Sequence, residues 1–340
     1  MNVLSLFDGM SGGQIALNRA GMTVDNYYAS ELDKYAISVT QANYPDTVQL
    51  GDVTMWREWD IDWASIDLLI GGSPCQGFSF AGKQLAFDDP RSKLFFVYVD
   101  ILNHIRLVNP DVKFMLENVR MKKEYLGIIS DQLGVEPVFI NSALVSAQNR
   151  QRYYWANWEF GQPDDKGLIL SDILEKESDN FTFMSDKFVN RQKGRKCLRD
   201  DLTGKAVNLS AMEYVKNGRQ GDYIKHIPSE KCLARIARKT YSSPKIMPEK
   251  TGTLNTKNNS GQWPIDGGTT LVPCNSAGDY EHRDNPALDN GSYRKLTPIE
   301  CERLQTVPDN YTNHVSNTQR YKMLGNGWTV DVISHIFKSM

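Results

Sequence analysis

Two hydrophobic periods alternate along the first 160 residues. Short apolar runs at Asn2–Leu6, Tyr27–Ser30, Thr47–Leu50, Ile66–Ile70 and Lys113–Leu116 read as strands. Between them, Gln14–Ala20, Lys34–Asn43 and Lys93–Val108 carry apolar residues at three- and four-residue spacing, the pattern of a helix with one buried face. Punctuation agrees with both periods: Gly21 suits a helix C-terminus, and Tyr44-Pro45 and Asn109-Pro110 stop the next two helices. Val138–Val145 and Tyr153–Ala156 add two strands. The alternation predicts an α/β fold with a Rossmann-like, mostly parallel sheet and helices on both faces. From about Gly161 the pattern degrades, and residues 180–290 are rich in Asn, Gly, Ser, Lys and Arg. Regularity returns at Leu296-Thr297-Pro298-Ile299-Glu300, where Thr297 can cap a helix, Pro298 suits its first position and Glu300 completes a capping box. A last helix is expected over Thr329–Lys338. The chain therefore divides into a sheet domain of residues 1–165 and 292–340, interrupted by a smaller irregular domain of residues 166–291.

Composition changes this picture little, and charge changes it more. With 40% hydrophobic and 24% charged residues the chain is ordinary for a water-soluble globular protein. No apolar run approaches the ~20 residues of a membrane span, and the N-terminus lacks the basic and apolar regions of a secretion signal. Cys75, Cys197, Cys232, Cys274 and Cys301 are odd in number and scattered, without a C-x-x-C pair. A reducing, cytoplasmic setting follows, with no disulfide framework, no structural zinc and no other metal site. The net charge of −2 conceals 17 Lys/Arg against 7 Asp/Glu between residues 181 and 260. So basic a segment on an otherwise acidic chain is an electrostatic footprint for phosphate groups, or else a solvated lysine-rich face.

The chemistry-bearing residues lie at the expected strand ends. Gly71-Gly72-Ser73-Pro74-Cys75-Gln76-Gly77-Phe78-Ser79 follows the strand Ile66–Ile70 and sets a cysteine on a glycine- and proline-shaped loop. In open α/β sheets that edge is where ligands bind, although a lone cysteine there is often a small buried apolar residue. The first strand leads into Phe7-Asp8-Gly9-Met10-Ser11-Gly12-Gly13, a glycine turn before a helix. The G-x-G-x-x-G fingerprint is missing, which disfavours a dinucleotide and leaves room for a nucleoside without a pyrophosphate. Glu31 closes the second strand, where a carboxylate can bond both ribose hydroxyls, and Gly51-Asp52-Val53 offers an acceptor for an adenine amino group. In this order they resemble an S-adenosylmethionine pocket.

Five motifs in order then carry a wider resemblance: Phe7-x-Gly9, Gly72 to Ser79, Glu117-Asn118-Val119, Gln148-Asn149-Arg150-Gln151-Arg152 and Gly325-Asn326-Gly327. They resemble the motifs of the DNA cytosine-5 methyltransferases of bacteria and phages. Phe7-Asp8-Gly9 and Arg152-Tyr153-Tyr154-Trp155 look more like the animal de novo branch. The match covers nearly all the chain except the basic segment, which corresponds to that family's target-recognition domain.

The resemblance implies transfer of a methyl group from S-adenosyl-L-methionine, leaving S-adenosyl-L-homocysteine, to C5 of a flipped cytosine in a specific duplex DNA sequence. Cytosine C5 is a weak nucleophile, and a thiolate added at C6 makes it reactive; Cys75 is the candidate. A free thiol has a pKa of ~8.5, so electropositive neighbours must help ionise it. Glu117 would bond cytosine N3 and the exocyclic amine, a role that needs a carboxyl carrying or sharing a proton. Arg150 and Arg152, on alternate residues, should face one side of a strand, near cytosine O2, Glu117 and the phosphate. Asn118 would orient the loop and the base. Phe7, Asp8, Gly9, Met10, Ser11, Gly12, Glu31, Leu32, Asp52, Val53, Gly72, Pro74, Leu94, Asn326 and Gly327 would contact the cofactor, and Gln76, Ser79 and Gln148 the DNA. Gly327 and Trp328 depart from the family pattern, which has a small hydroxyl or alanine after the Asn. Lys187, Arg191, Lys193, Arg195, Lys196 and Arg199 are candidates for phosphate contacts.

An RNA cytosine methyltransferase on the same plan, and a non-catalytic DNA-binding regulator, are the other readings; a pure binder has no need of a nucleophile. The resemblance implies a monomer that binds double-stranded DNA in the cytoplasm of a bacterial or phage-infected cell. A cognate restriction endonuclease is a candidate partner in a restriction-modification pair, and the sequence leaves open whether one exists.

Overall fold

The computed structural model describes residues 1–74, 93–176, 178, 190, 198–199, 202–206, 223–226 and 292–340. Two compact units are present, one of Met1–Leu174, Thr203–Gln220 and Pro298–Met340, the other of Glu175–Leu202 and Gly221–Thr297.

The first unit is built on seven strands: β1 (Asn2–Leu6), β2 (Asn26–Ser30), β3 (Val48–Gln49), β4 (Ile66–Gly72), β5 (Lys113–Val119), β6 (Val138–Asn141) and β7 (Gln151–Ala156). They lie in the order β3-β2-β1-β4-β5-β7-β6. Strands β1 to β5 pair in parallel, and β7 runs antiparallel to both β5 and β6. The order reverses between β1 and β4. In such sheets the crevice outside the carboxyl ends at that switch point receives the ligand.

Local chemistry sets the helices. α1 (Gly12–Ala20) ends at Gly21, whose φ of 79° gives the left-handed turn that returns its N–H to Asn18 and Leu17 carbonyls. α2 (Lys34–Asn43) begins where the Asp33 carboxylate accepts the Tyr35 N–H at 3.0 Å. α3 (Lys93–Val108) and α4 (Lys123–Leu133) cover one face of the sheet: Leu4 and Leu6 of β1 and Phe114 and Leu116 of β5 pack with Phe95, Tyr98, Tyr125 and Ile129. On the other face α1 packs against α7 (Val330–Phe337). Approach there is tight, since a Cβ on Gly13 would lie 2.7 Å from the Ile70 side chain and from the Tyr27 hydroxyl. α5 (Pro298–Leu304) and α6 (Asn317–Asn326) complete this unit.

Within the segment 202–206, residues 203–206 belong to the first unit. Ala206 bridges Gln148, Leu170 N–H donates to the Gly204 carbonyl, and Lys205 Nζ donates to the carbonyls of Ala143, Ser146 and Leu168. In the second unit, β8 (Leu198–Arg199) pairs in parallel with β9 (Tyr223–His226), which pairs antiparallel with β10 (Ser292–Lys295).

The strands and helices expected between residues 2 and 116 stand within a few residues of their predicted bounds. Four elements differ. The strand expected to end at Leu116 continues to Val119, so Glu117 lies inside β5. The strand expected over Val138–Val145 stops at Asn141, because the Asn141 side chain accepts the Ala143 N–H at 3.1 Å and starts a 3-10 turn. Helices α4 and α6 were not anticipated.

Candidate active site

The site grows from the carboxyl ends of β1, β2, β4 and β5. After β1 the chain turns through Phe7, Gly9 and Ser11, all left-handed, with φ of 58°, 62° and 60°. Glu31, after β2, locks this turn: its Oε2 accepts the Gly9 N–H at 2.8 Å, and its Oε1 accepts the Leu32 and Asp33 N–H groups at 2.7 Å each. A Cβ on Gly9 would have nothing within 4 Å, so the outer side of the turn is open. Asp52 follows β3, its Oδ1 held by the Thr54 N–H and hydroxyl. A carboxylate beside an open glycine turn, with a second acidic group one strand further along, fits a nucleoside-bearing methyl donor.

Not every residue expected at the cofactor offers its side chain there. The Asp8 carboxyl turns inward, accepting from the Tyr27 hydroxyl at 2.7 Å and from the Ser11 hydroxyl. Burial raises its pKa to about 6 against the opposing pull of those hydroxyl donors. Met10 and Val53 are buried, and the Met10 carbonyl accepts the Tyr311 hydroxyl at 2.7 Å. Ser11 and Gly12 are buried at the start of α1, whereas Leu32 is exposed. Phe7 and Leu94 are half-buried and pack on the α3-side core. Pro74 is half-buried beyond the end of β4.

The second half of the site stands on β4, β5 and β7. Gly72 is in register with Glu117, and Glu117 with Tyr154. Arg152 lies two residues from Tyr154 on the same face of β7, within diagonal reach of Glu117. Its Nε sits 2.7 Å from Glu117 Oε1, a charge contact rather than an aligned hydrogen bond. The other oxygen, Oε2, accepts the Trp328 indole N–H at 3.2 Å. Asn118 is buried and donates to the Ser73 hydroxyl at 3.2 Å, which ties β5 to the start of the Pro74 loop.

Arg150 lies just before β7. Strand β7 begins at Gln151, and the buried Arg150 donates to the carbonyls of Gly325 at 3.3 Å and Gly327 at 2.8 Å. Gln148 is fully buried; its amide donates to the Leu304 carbonyl at 2.6 Å and to Gln305 Oε1 at 3.0 Å. Asn326 is exposed at the end of α6, and Gly327 passes so close to Met10 that a Cβ would lie 2.8 Å from its methyl group. The turn after α6 is thus packed onto the turn after β1. Cys75, Gln76 and Ser79 lie outside the described residues, as do Lys187, Arg191, Lys193, Arg195 and Lys196 and the side chain of Arg199.

Sequence reasoning assigned no role to two participants. Trp328 follows the Gly325-Asn326-Gly327 motif directly, and that adjacency was a usable signal. Gln305 carried none, yet its side chain donates to the Leu324 carbonyl at 2.7 Å and accepts the Thr329 hydroxyl at 3.0 Å.

Comparison with known proteins agrees with the motifs and the topology. The C-5 cytosine-specific DNA methylase family matches residues 1–129 and 137–340. The type II methyltransferase M1.ScrFI of Lactococcus lactis subsp. cremoris is 29% identical over 99% of this chain and 77% of its own. M.HhaI of Haemophilus parahaemolyticus is 28% identical over 99% and 93%. Among solved structures, EhMeth of Entamoeba histolytica superposes with a TM-score of 0.67 at 17% identity, covering 99% of this chain and 96% of that one. A DNMT2 of Spodoptera frugiperda gives 0.64 at 21% identity, covering 99% and 98%. These two share the fold. The chain belongs to the C-5 cytosine-specific DNA methylase family. It is an enzyme, a DNA (cytosine-5-)-methyltransferase, on a Rossmann-like sheet. Among the described residues no helix is long and apolar enough to cross a membrane.

Proposed function

We propose that the protein moves the methyl group of S-adenosyl-L-methionine to C5 of a cytosine extruded from duplex DNA, with Cys75 as nucleophile. The observation that carries this reading is Glu117, which faces the end of β4 with each carboxylate oxygen held by a different donor. Strand β4 leads directly into Ser73-Pro74-Cys75. The chemistry needs a carboxyl and a thiol at neighbouring strand ends, and the parallel pairing of β4 with β5 provides neighbouring ends.

The Cys75 thiolate adds to C6, and the electron pair displaced from the C5–C6 bond makes C5 nucleophilic. Glu117 shares a proton with N3 and so accommodates the charge that enters the ring. The cofactor supplies the electrophilic methyl group. Loss of the C5 proton and departure of the thiolate then restore the ring. The Phe7–Gly12 turn, Glu31 and Asp52 would hold the nucleoside end of the cofactor, and the Gly325–Gly327 turn its methionine end. Arg152 would fix Glu117, and Asn118 would fix the loop that carries Cys75. Gln148, buried against Leu304 and Gln305, would support the site rather than touch DNA. Gln76 and Ser79 would contact the target strand, and unstacking the base costs a few kcal/mol. Residues 166–291, apart from the 202–206 segment, would recognise the target sequence. A cytoplasmic monomer belongs to the same proposal, and the type II methyltransferase names of the bacterial relatives favour a restriction endonuclease as candidate partner.

The test is Cys75→Ser with two readouts. Methyl transfer and covalent trapping on duplex DNA carrying 5-fluorocytosine should both vanish, while S-adenosyl-L-homocysteine binding stays within about threefold. Retained transfer would overturn the assignment.

A further inference from the structure

A tryptophan follows the Gly325-Asn326-Gly327 motif directly, and its placement bears on the carboxylate at the centre of the site. Glu117 Oε1 faces Arg152 at 2.7 Å and Oε2 faces the Trp328 N–H at 3.2 Å, so the carboxylate is gripped at both oxygens. Rotation about its terminal bond would break both contacts together. An indole N–H is a donor that never accepts and does not titrate, so the donor itself is unchanged at every working pH.

The surroundings are shaped around this contact. A Cβ on Gly72 would come within 2.9 Å of the Trp328 indole nitrogen and 3.0 Å of Glu117 Oε2. A side chain at residue 72 would therefore push against both partners. The backbone that carries Trp328 is held on either side. Arg150 donates to the Gly325 and Gly327 carbonyls, Gln305 donates to the Leu324 carbonyl, and Val330 N–H returns to the Gln305 carbonyl at 3.0 Å. Because Gly327 also packs against Met10, the indole rides on a turn whose position is tied to the glycine turn after β1.

We infer that Trp328 is a positioning residue: it sets the orientation of Glu117 toward the target cytosine and links that orientation to the cofactor turn. This rests on the base-binding role proposed for Glu117. With the N–H removed, the carboxylate loses one of its two fixed references and samples orientations that do not meet N3. Most of the loss falls on the chemical step, because the aligned carboxylate matters most when charge enters the ring, and a smaller part falls on binding of the extruded base.

The experiment is a double-mutant cycle of Trp328→Phe and Glu117→Gln, read as single-turnover methyl transfer with enzyme and S-adenosyl-L-methionine in excess. Trp328→Phe keeps an aromatic ring and removes the donor. It should lower the transfer rate by roughly 10- to 100-fold, the range for one hydrogen bond to a charged group. Affinity for S-adenosyl-L-homocysteine and the thermal midpoint should move little. In the Glu117→Gln background the same change should cost less than about threefold, because the group it positions is already altered. Equal losses in both backgrounds, or a wild-type rate for Trp328→Phe, would overturn the inference and leave the Glu117 reading standing. A wild-type rate for Glu117→Gln alone would overturn that reading instead. If Glu117→Gln gives no measurable transfer, affinity for the target duplex closes the cycle. Trp328→Phe should then weaken binding in the parent and not in Glu117→Gln, and equal weakening in both would refute the role.

Discussion

Asp8 shows how a place in a motif leaves the direction of a side chain open. Its place in the glycine turn suggested a group facing the cofactor, but its carboxyl points inward to Tyr27 and Ser11. Burial raises its pKa to about 6, above the ~3.9 of an exposed aspartate. An acid with a raised folded value binds its proton more tightly when folded, so the native state is favoured as pH falls from 6 towards 4. Above pH 6 the buried charge is a penalty of at most roughly 3 kcal/mol, at about 1.4 kcal/mol per pKa unit. Asp8→Asn carries no such charge. Urea unfolding of both proteins between pH 4.5 and 7.5 should show the parent gaining on the variant by roughly 2 kcal/mol on acidification, and a constant difference would refute the buried-charge account. The nearness of Arg152 to Glu117 was expected from the family resemblance alone, because which residues face each other across two strands depends on register, which no spacing within one strand fixes. Arg150 and Arg152 were expected on one side of a strand, but β7 begins at Gln151, and Arg150 donates to the Gly325 and Gly327 carbonyls.

At the scale of elements, what the sequence hid is polar. Helix α6 reads Asn-Thr-Gln-Arg-Tyr-Lys-Met-Leu-Gly-Asn and buries Arg320 along with Met323 and Leu324, so no apolar stripe marks it. Arg320 is buried because Glu302 pairs with it at 2.9 Å, a partner on α5. Helix α4 carries Gly127 in its middle, a residue that weakens the helical signal. Strands β1 and β4 were readable because strands buried on both faces are nearly continuous apolar runs. The same hidden polarity holds the turn between α6 and α7. Gln305 contacts Leu324 before it and Thr329 and Val330 after it, and takes a further bond from Gln148. Gln305→Leu matches the volume and leaves the Leu324 carbonyl without this donor in a buried setting. The expected cost is about 1–3 kcal/mol of stability. S-adenosyl-L-homocysteine affinity should also fall several-fold, because the turn loses its brace on both sides. Calorimetric titration beside thermal unfolding would separate the effects, and a stable variant with parental affinity would show that the turn holds without Gln305.

For the whole molecule, the division of labour between the two units can be tested by cutting at a place the topology prepares. Segment 202–206 lies within the basic stretch of the sequence, yet Lys205 gives its donors to the carbonyls of Ala143, Ser146 and Leu168 in the first unit. A deletion spanning residues 181–260 would strip that anchor and disturb the turn leading to Arg150, confusing recognition with catalysis. The antiparallel pairing of β9 with β10 offers a cleaner excision. His226 and Ser292 are register partners at one end of that ladder, so a two-residue Asn-Gly turn can join them in place of residues 227–291. The shortened protein retains every described strand and the 202–206 anchor. It should bind S-adenosyl-L-homocysteine within about threefold of the parent, because no residue proposed for the cofactor is removed. Lysines and arginines that remain between residues 187 and 225 should still give weak, salt-dependent binding to any duplex. Preference for target over non-target DNA, ~10³ or more for sequence-specific proteins, should collapse towards one. Competition binding at fixed salt measures that ratio directly. A preserved preference would place base recognition outside residues 227–291 and return it to the catalytic unit or to the first part of the basic segment.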